Sequence, residues 1–163
     1  MRTGARRGNI ADVTTAAPRP RAERRRDTEH RLAHDVDVWV ASASATGAPH
    51  LVPLSFDWDG AALLLSTARD SPTGLNLAAT RTARIGLGGT RDVTMVEGGV
   101  EVLPIDALPQ EQGDRFAART GFDPRMLRTP YCWFRLTPRR IQAWREVDEL
   151  PHRQLMRDGR WLA

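Results

Sequence analysis

Asp59-Gly60 lies between two apolar, strand-patterned runs, residues 50–58 and 61–67, and constrains this chain more than any other feature. Asp-Gly suits a type I′ turn, which needs positive φ at both central residues and joins antiparallel neighbours. In the first run His50, Val52, Leu54, Phe56 and Trp58 share one face, and Leu51, Pro53, Ser55 and Asp57 share the other. Pro53 has no N–H to give to a ladder, so this strand is expected to be bulged or unpaired on one side. A strand with backbone free at mid-length can serve as an ordinary sheet edge, or it can bond a planar ring.

The remaining pattern is consistent with more strands. Residues 36–44 alternate as a strand and turn at Thr46-Gly47, and residues 75–80 suggest a short helix. Two further strands are expected over residues 81–89 and 93–104, joined through Gly88, Gly89 and Thr90. GLGGTR is no dinucleotide fingerprint, because Arg91 stands where the third glycine belongs and a strand, not a helix, follows. Asp106 is expected to cap a helix ending near Thr120, with Gly121 after it. Residues 129–145 read as two strand pieces broken at Pro138, and Asp158-Gly159 folds Trp161 back on residues 154–156. Many short strands with small helices and no internal repeat indicate a mainly β protein, a β-barrel with helical additions.

Charge separates the chain into parts. Residues 1–26 hold eight Arg against Asp12 and Glu23, a net +6, whereas the other 137 residues hold sixteen Arg and eighteen acids, a net −2. The first 26 residues lack hydrophobic periodicity and are expected to form a disordered tail. With no aromatic interleaved to stack on bases, that tail gives little reason to expect a nucleic-acid partner. Residues 27–147 are expected to form the barrel domain and residues 148–163 a C-terminal hairpin extension. Cys132 is the only cysteine, so no intrachain disulfide or cysteine-metal cluster forms, and it reads as a small buried hydrophobe. His30 and His34, four apart, could share a helix face, but with no third ligand apparent no metal is expected. No apolar run is long enough to span a bilayer, so a cytoplasmic protein without a membrane partner is expected.

One stretch carries chemistry. Ser66 and Thr67 end a strand, and Ser71 precedes the helix that carries Asn76. Hydroxyls facing a helix N-terminus can donate to a phosphate. The same residues can equally be a plain strand end and helix cap.

The order GAPHLVPLSFDWDG, LLLST, Ser71, GLNLAAT, TARIGL and the later TPRRIQAWRE resembles the pyridoxamine 5′-phosphate oxidase-like family, over roughly residues 30–147. The resemblance implies a six-stranded, Greek-key-like split β-barrel (an FMN-binding split barrel) that pairs as a homodimer with a cofactor, FMN or F420, at each subunit junction. It places His50, Val52, Pro53 and Leu54 along the ring and Ser66, Thr67, Ser71 and Asn76 around the phosphate. Trp144 would reach the site from the second subunit. Many relatives carry Arg-Lys after the serine; here Pro72 and Thr73 stand there, so another cation should approach, Arg69 being nearest in sequence. Without one, the pocket would bind weakly, take the phosphodiester of F420, or stand empty.

The implied activity is hydride transfer between the cofactor and a small organic substrate, which needs no side-chain nucleophile. His50 is the one titratable residue to consider for proton delivery. The alternative is a non-catalytic flavin- or haem-binding carrier or sensor on the same barrel.

Overall fold

The organising element is one long strand. In the computed structural model, which describes residues 17–163, β6 (Tyr131–Arg145) pairs along its length with β5 (Asp92–Pro104). Its first half also pairs with β3 (Leu63–Ala68), from Leu63↔Leu136 to Ala68↔Tyr131. β3 joins β2 (Pro49–Trp58), β2 joins β1 (Asp37–Ala43), β1 joins β4 (Thr82–Gly89), and β4 joins β5. The sheet therefore closes on itself as a six-stranded antiparallel barrel. The second half of β6 is covered by β7 (Gln154–Arg157), which forms a hairpin with β8 (Arg160–Trp161). This is the split β-barrel that the resemblance implies.

Alternation places the apolar side chains inside. Val38, Val40, Phe56, Leu63, Leu65, Ile85, Val96, Phe134, Leu136 and Ile141 form one buried cluster. Fully burying a side chain of this kind contributes roughly 1.5–3 kcal/mol. Outside the barrel wall, α3 (Gln110–Thr120) lays Phe116 against Trp133, ring centroids 5.0 Å apart and nearly perpendicular. Trp133 Nε1 donates to the Ile105 carbonyl at 3.1 Å, so the burial leaves that polar atom satisfied.

Several local expectations are corrected. β6 is not broken at Pro138; a bulge there, with Glu97 opposite Arg140 and Gly98 opposite Pro138, absorbs the missing N–H. The turn after Trp58 is centred on Gly60-Ala61, not Asp59-Gly60. Only Gly60 is at positive φ (94°), a type II′ arrangement, and the Asp59 carboxylate accepts from the Ala61 and Ala62 N–H groups. Asp106 does not cap α3, which begins at Gln110 after Pro109; Gly121 does follow its end.

The largest correction concerns the tail. Residues 21–26 belong to α1 (Arg21–His34), which buries Arg24, Thr28 and Leu32, and Arg19 ahead of it is buried as well. The buried Glu149 carboxylate takes Arg19 Nε at 3.0 Å and Nη2 at 2.9 Å, with Asp27 on Nη1 at 2.7 Å and Asp92 also on Nη2 at 2.9 Å. Apolar periodicity could not reveal a segment held by ion pairs. The expectation for residues 1–16 lies outside the described residues. His30 and His34 stack on each other, and His34 Nδ1 lies 2.8 Å from the His30 carbonyl.

Candidate functional site

The site is the place where β2 and β3 part. Their ladder runs from Trp58↔Leu63 to Phe56↔Leu65 and stops. Phe56 N–H donates to the Val36 carbonyl at 2.9 Å, so Phe56, Leu54, Val52 and His50 turn their backbone groups toward β1. Ser55 and Pro53 therefore turn theirs toward β3. Continuing the register would set Ser55 opposite Ser66 and Pro53 opposite Ala68, but Pro53 has no N–H to give and β3 follows β6.

Between the parted strands lies a cavity of about 220 Å³. Pro53, Leu54 and Ser55 form one wall, Ser66 and Thr67 the other, and Phe116, Phe122 and Tyr131 close it. Phe116 comes from α3, Phe122 from the turn after it and Tyr131 from the start of β6, all distant in sequence from β2 and β3, and nothing local marked them as part of a site.

Next to this cleft sits a network of hydroxyls. Thr67 Oγ1 and Ser71 Oγ are 3.2 Å apart, and His50 Nε2 lies 3.1 Å from Thr73 Oγ1. Ser71 caps α2 (Pro72–Thr80): its hydroxyl accepts from Gly74 N–H at 3.0 Å and donates to the Ala68 carbonyl at 2.8 Å. Gly74 is required at this point, since a Cβ there would lie 2.4 Å from the Ala68 carbonyl oxygen. Thr73, noted in the sequence only as the replacement for a basic residue, thus orients His50.

The structure brings His50, Pro53, Leu54, Ser66, Thr67 and Ser71 to one end of the barrel. Val52 sits on the His50 face of β2, half-buried. Ser66 is buried and donates to the Cys132 carbonyl at 3.0 Å. Arg69 and Trp144 stand apart, and Asn76 is engaged with Ser42, the residue opposite His50 on β1. Asn76 Nδ2 donates to Ser42 Oγ on β1 at 3.2 Å. Arg69 projects into solvent, 73% exposed, with only Asp70 beside it at 3.9 Å. Trp144 lies twelve residues along β6 from Cys132, which pairs with Thr67. That is roughly 40 Å of extended strand, so Trp144 is not at this site within one chain. Among the described residues, no guanidinium bonds Thr67, Ser71 or Thr73.

A second feature lies on the outer face of β1, β2, β4 and β5. Trp39 and Leu51, 53% and 59% exposed, line a shallow groove of about 400 Å³ with Val93 and Met95.

Comparison with known proteins gives the family. Residues 29–145 match the family model described as pyridoxamine 5′-phosphate oxidase. No curated protein matches the chain. Among solved structures, one titled F420 reductase superposes with a TM-score of 0.57 at 17% identity, covering 69% of this chain and 94% of its own. HupZ from Group A Streptococcus gives 0.59 at 16% identity, covering 74% and 94%. HutZ, a haem storage protein from Vibrio cholerae, gives 0.59 at 13% identity, also covering 74% and 94%.

Proposed function

The chain belongs to the pyridoxamine 5′-phosphate oxidase family, and on that premise we propose that it binds FMN or F420 in the cleft between β2 and β3 and acts as an oxidoreductase on a small organic substrate. The observation that carries this reading is the unpaired edge of β2 beside the hydroxyl network. Ser55 and Pro53 present backbone groups that no strand satisfies, at the mouth of a cavity walled by Ser66 and Thr67. Unpaired backbone polar groups need partners, and the edge of a planar heterocycle supplies both donors and acceptors.

The ring end fits such a group well. The phosphate end is more selective, because Thr67, Ser71 and Thr73 are neutral and Ser71 already donates to Ala68 and accepts from Gly74. A phosphate monoester carries about −1.5 to −2 charges at neutral pH. A singly charged phosphodiester asks for less counter-charge, which favours F420 over FMN. A bound flavin or deazaflavin supplies the hydride chemistry. The chain's part is to orient the ring along β2, hold the phosphate end at α2 and shape the substrate cavity. His50, held at Nε2 by Thr73, is the candidate for proton delivery.

The cleft is open in one chain, and Trp144 reaches it only from a second copy. We therefore place a homodimer contact on the groove formed by Trp39, Leu51, Val93 and Met95. The test is titration of the purified protein with FMN and with F420, by fluorescence and thermal shift, beside a Thr67→Ala/Ser71→Ala variant. Saturable binding that weakens in the variant supports the site. Absence of binding by both cofactors overturns it. Binding without turnover across a broad panel of acceptors would assign the chain to the carrier reading.

A further inference from the structure

Eight residues wall the cavity between β2 and β3, and none of them carries a charge. At about 220 Å³ it is smaller than the roughly 300–1,000 Å³ pockets that take drug-sized ligands, so one or two rings fill it. Phe116, Phe122 and Tyr131 make one side, the last two with ring centroids 5.7 Å apart and tilted by 56°. Aromatic walls at such spacings receive a further ring edge-on or offset-stacked.

The hydroxyls of the opposite side are already engaged. Ser66 donates to the Cys132 carbonyl, Thr67 pairs with Ser71, and Ser55 donates to the Asp37 carboxylate at 2.6 Å. Among the described residues, the Tyr131 hydroxyl makes no hydrogen bond, so it is free to serve a ligand. The cations nearest the cavity are committed elsewhere. Arg115 Nε donates to the buried Asp57 carboxylate at 2.7 Å, and Arg119 donates to the carbonyls that end α1. Arg125 is paired with Asp114 at 2.7 Å and Asp123 at 2.8 Å. Arg69 and Arg128 are exposed and form no part of the walls. The β2 side is therefore flanked by two carboxylates, Asp37 behind Ser55 and Asp57 two residues on, and only Asp57 has an ion-pair partner among the described residues. An anionic group entering the cavity would meet no free guanidinium, and a buried charge without a partner is costly.

We propose that the substrate taken up by this cavity is a one- or two-ring aromatic molecule without an anionic group, packed against Phe116, Phe122 and Tyr131 and hydrogen-bonded by the Tyr131 hydroxyl. A substrate phosphate of the kind in the family's description, pyridoxamine 5′-phosphate oxidase, finds nothing here to hold it. That the occupant is a substrate rests on the oxidoreductase reading; the selectivity of the cavity does not.

The test is calorimetric titration of the full chain with 2-naphthol and with 2-naphthyl phosphate, the same two rings without and with a phosphate. 2-Naphthol is expected to bind saturably, and at least about 10-fold tighter than its phosphate. Tyr131→Phe removes one hydroxyl and should weaken 2-naphthol about 3- to 10-fold, the worth of one hydrogen bond. If that variant does not fold, Phe122→Leu, just past the end of α3, gives the same test by removing one ring. Absence of 2-naphthol binding, equal affinity for the phosphate, or unchanged affinity in the folded variant would each overturn the proposal. The FMN and F420 titrations test the oxidoreductase reading separately. Selective 2-naphthol binding without cofactor binding removes that reading and leaves the selectivity of the cavity standing.

Discussion

Ser71 shows how one side chain can read two ways until its partners are known. Its hydroxyl has one proton to donate and two lone pairs, and it uses the proton on Ala68 and a lone pair on Gly74 N–H. It is therefore a helix cap in the free chain, and a phosphate must compete for it. Ser71→Ala is expected to cost about 1 kcal/mol of stability, typical for a lost N-cap, measured by urea denaturation. A change near zero would mean that the cap is not formed. Gly74→Ala should cost more, roughly 2 kcal/mol, because its Cβ would press on backbone oxygens at 2.4 and 2.7 Å that cannot swing aside. Ser66, Thr67 and Ser71 were legible as candidates because hydroxyls at a strand end before a helix start are a local pattern, whereas His50 was placed only by the family resemblance. Arg69 was chosen for proximity in sequence, and a solvent-facing side chain shows that proximity was the wrong measure.

At the scale of elements, α1 is held by charge where a core helix would be held by apolar packing. Burial opposes ionisation of Glu149, but hydrogen bonds from the Arg19 side chain and backbone and from the Arg145 N–H outweigh it, holding its pKa at about 2. The folded-state value lies below the ordinary 4.5, so this stabilisation is complete above about pH 4.5 and is lost as pH falls toward 2. Acid titration of the wild type should show a loss of stability in that window, and Glu149→Gln should largely lack it. Arg19→Ala leaves the Glu149 charge buried and unpaired, so a cost of roughly 3 kcal/mol or more is expected. Arg119 closes the other end of α1, its Nη1 and Nη2 donating to the Ala33, Leu32 and Asp35 carbonyls at 2.6, 3.1 and 2.6 Å. The parting of β2 and β3 belongs to this scale too. Pro53→Val restores an N–H facing β3, so amide exchange at Ser55 should slow and cofactor affinity should fall. Unchanged exchange would mean that proline is not what ends the ladder.

For the whole molecule, the proposed partner is a second copy of the chain. Leu51→Glu places a charge in the groove beside Trp39, at a site 59% exposed in one chain, so the monomer should stay folded. Sedimentation at micromolar concentration is expected to give a dimer for the wild type and a monomer for the variant, with cofactor binding lost alongside the dimer. A monomeric wild type would remove the shared site. Among the described residues, no helix is long and apolar enough to cross a membrane. The sequence alone determined the strand succession, the inward faces and the interruption at Pro53, because period-two alternation and a missing N–H are properties of residues and their near neighbours. Only the tertiary structure decided that β3 closes on β6, that Phe116, Phe122 and Tyr131 close the cleft, and that Arg21 of α1 and Arg140 of β6 line one cavity with Arg153 and Arg157. Those are contacts between segments far apart in the chain. Their register is set by the packing of the closed barrel, which no local pattern encodes.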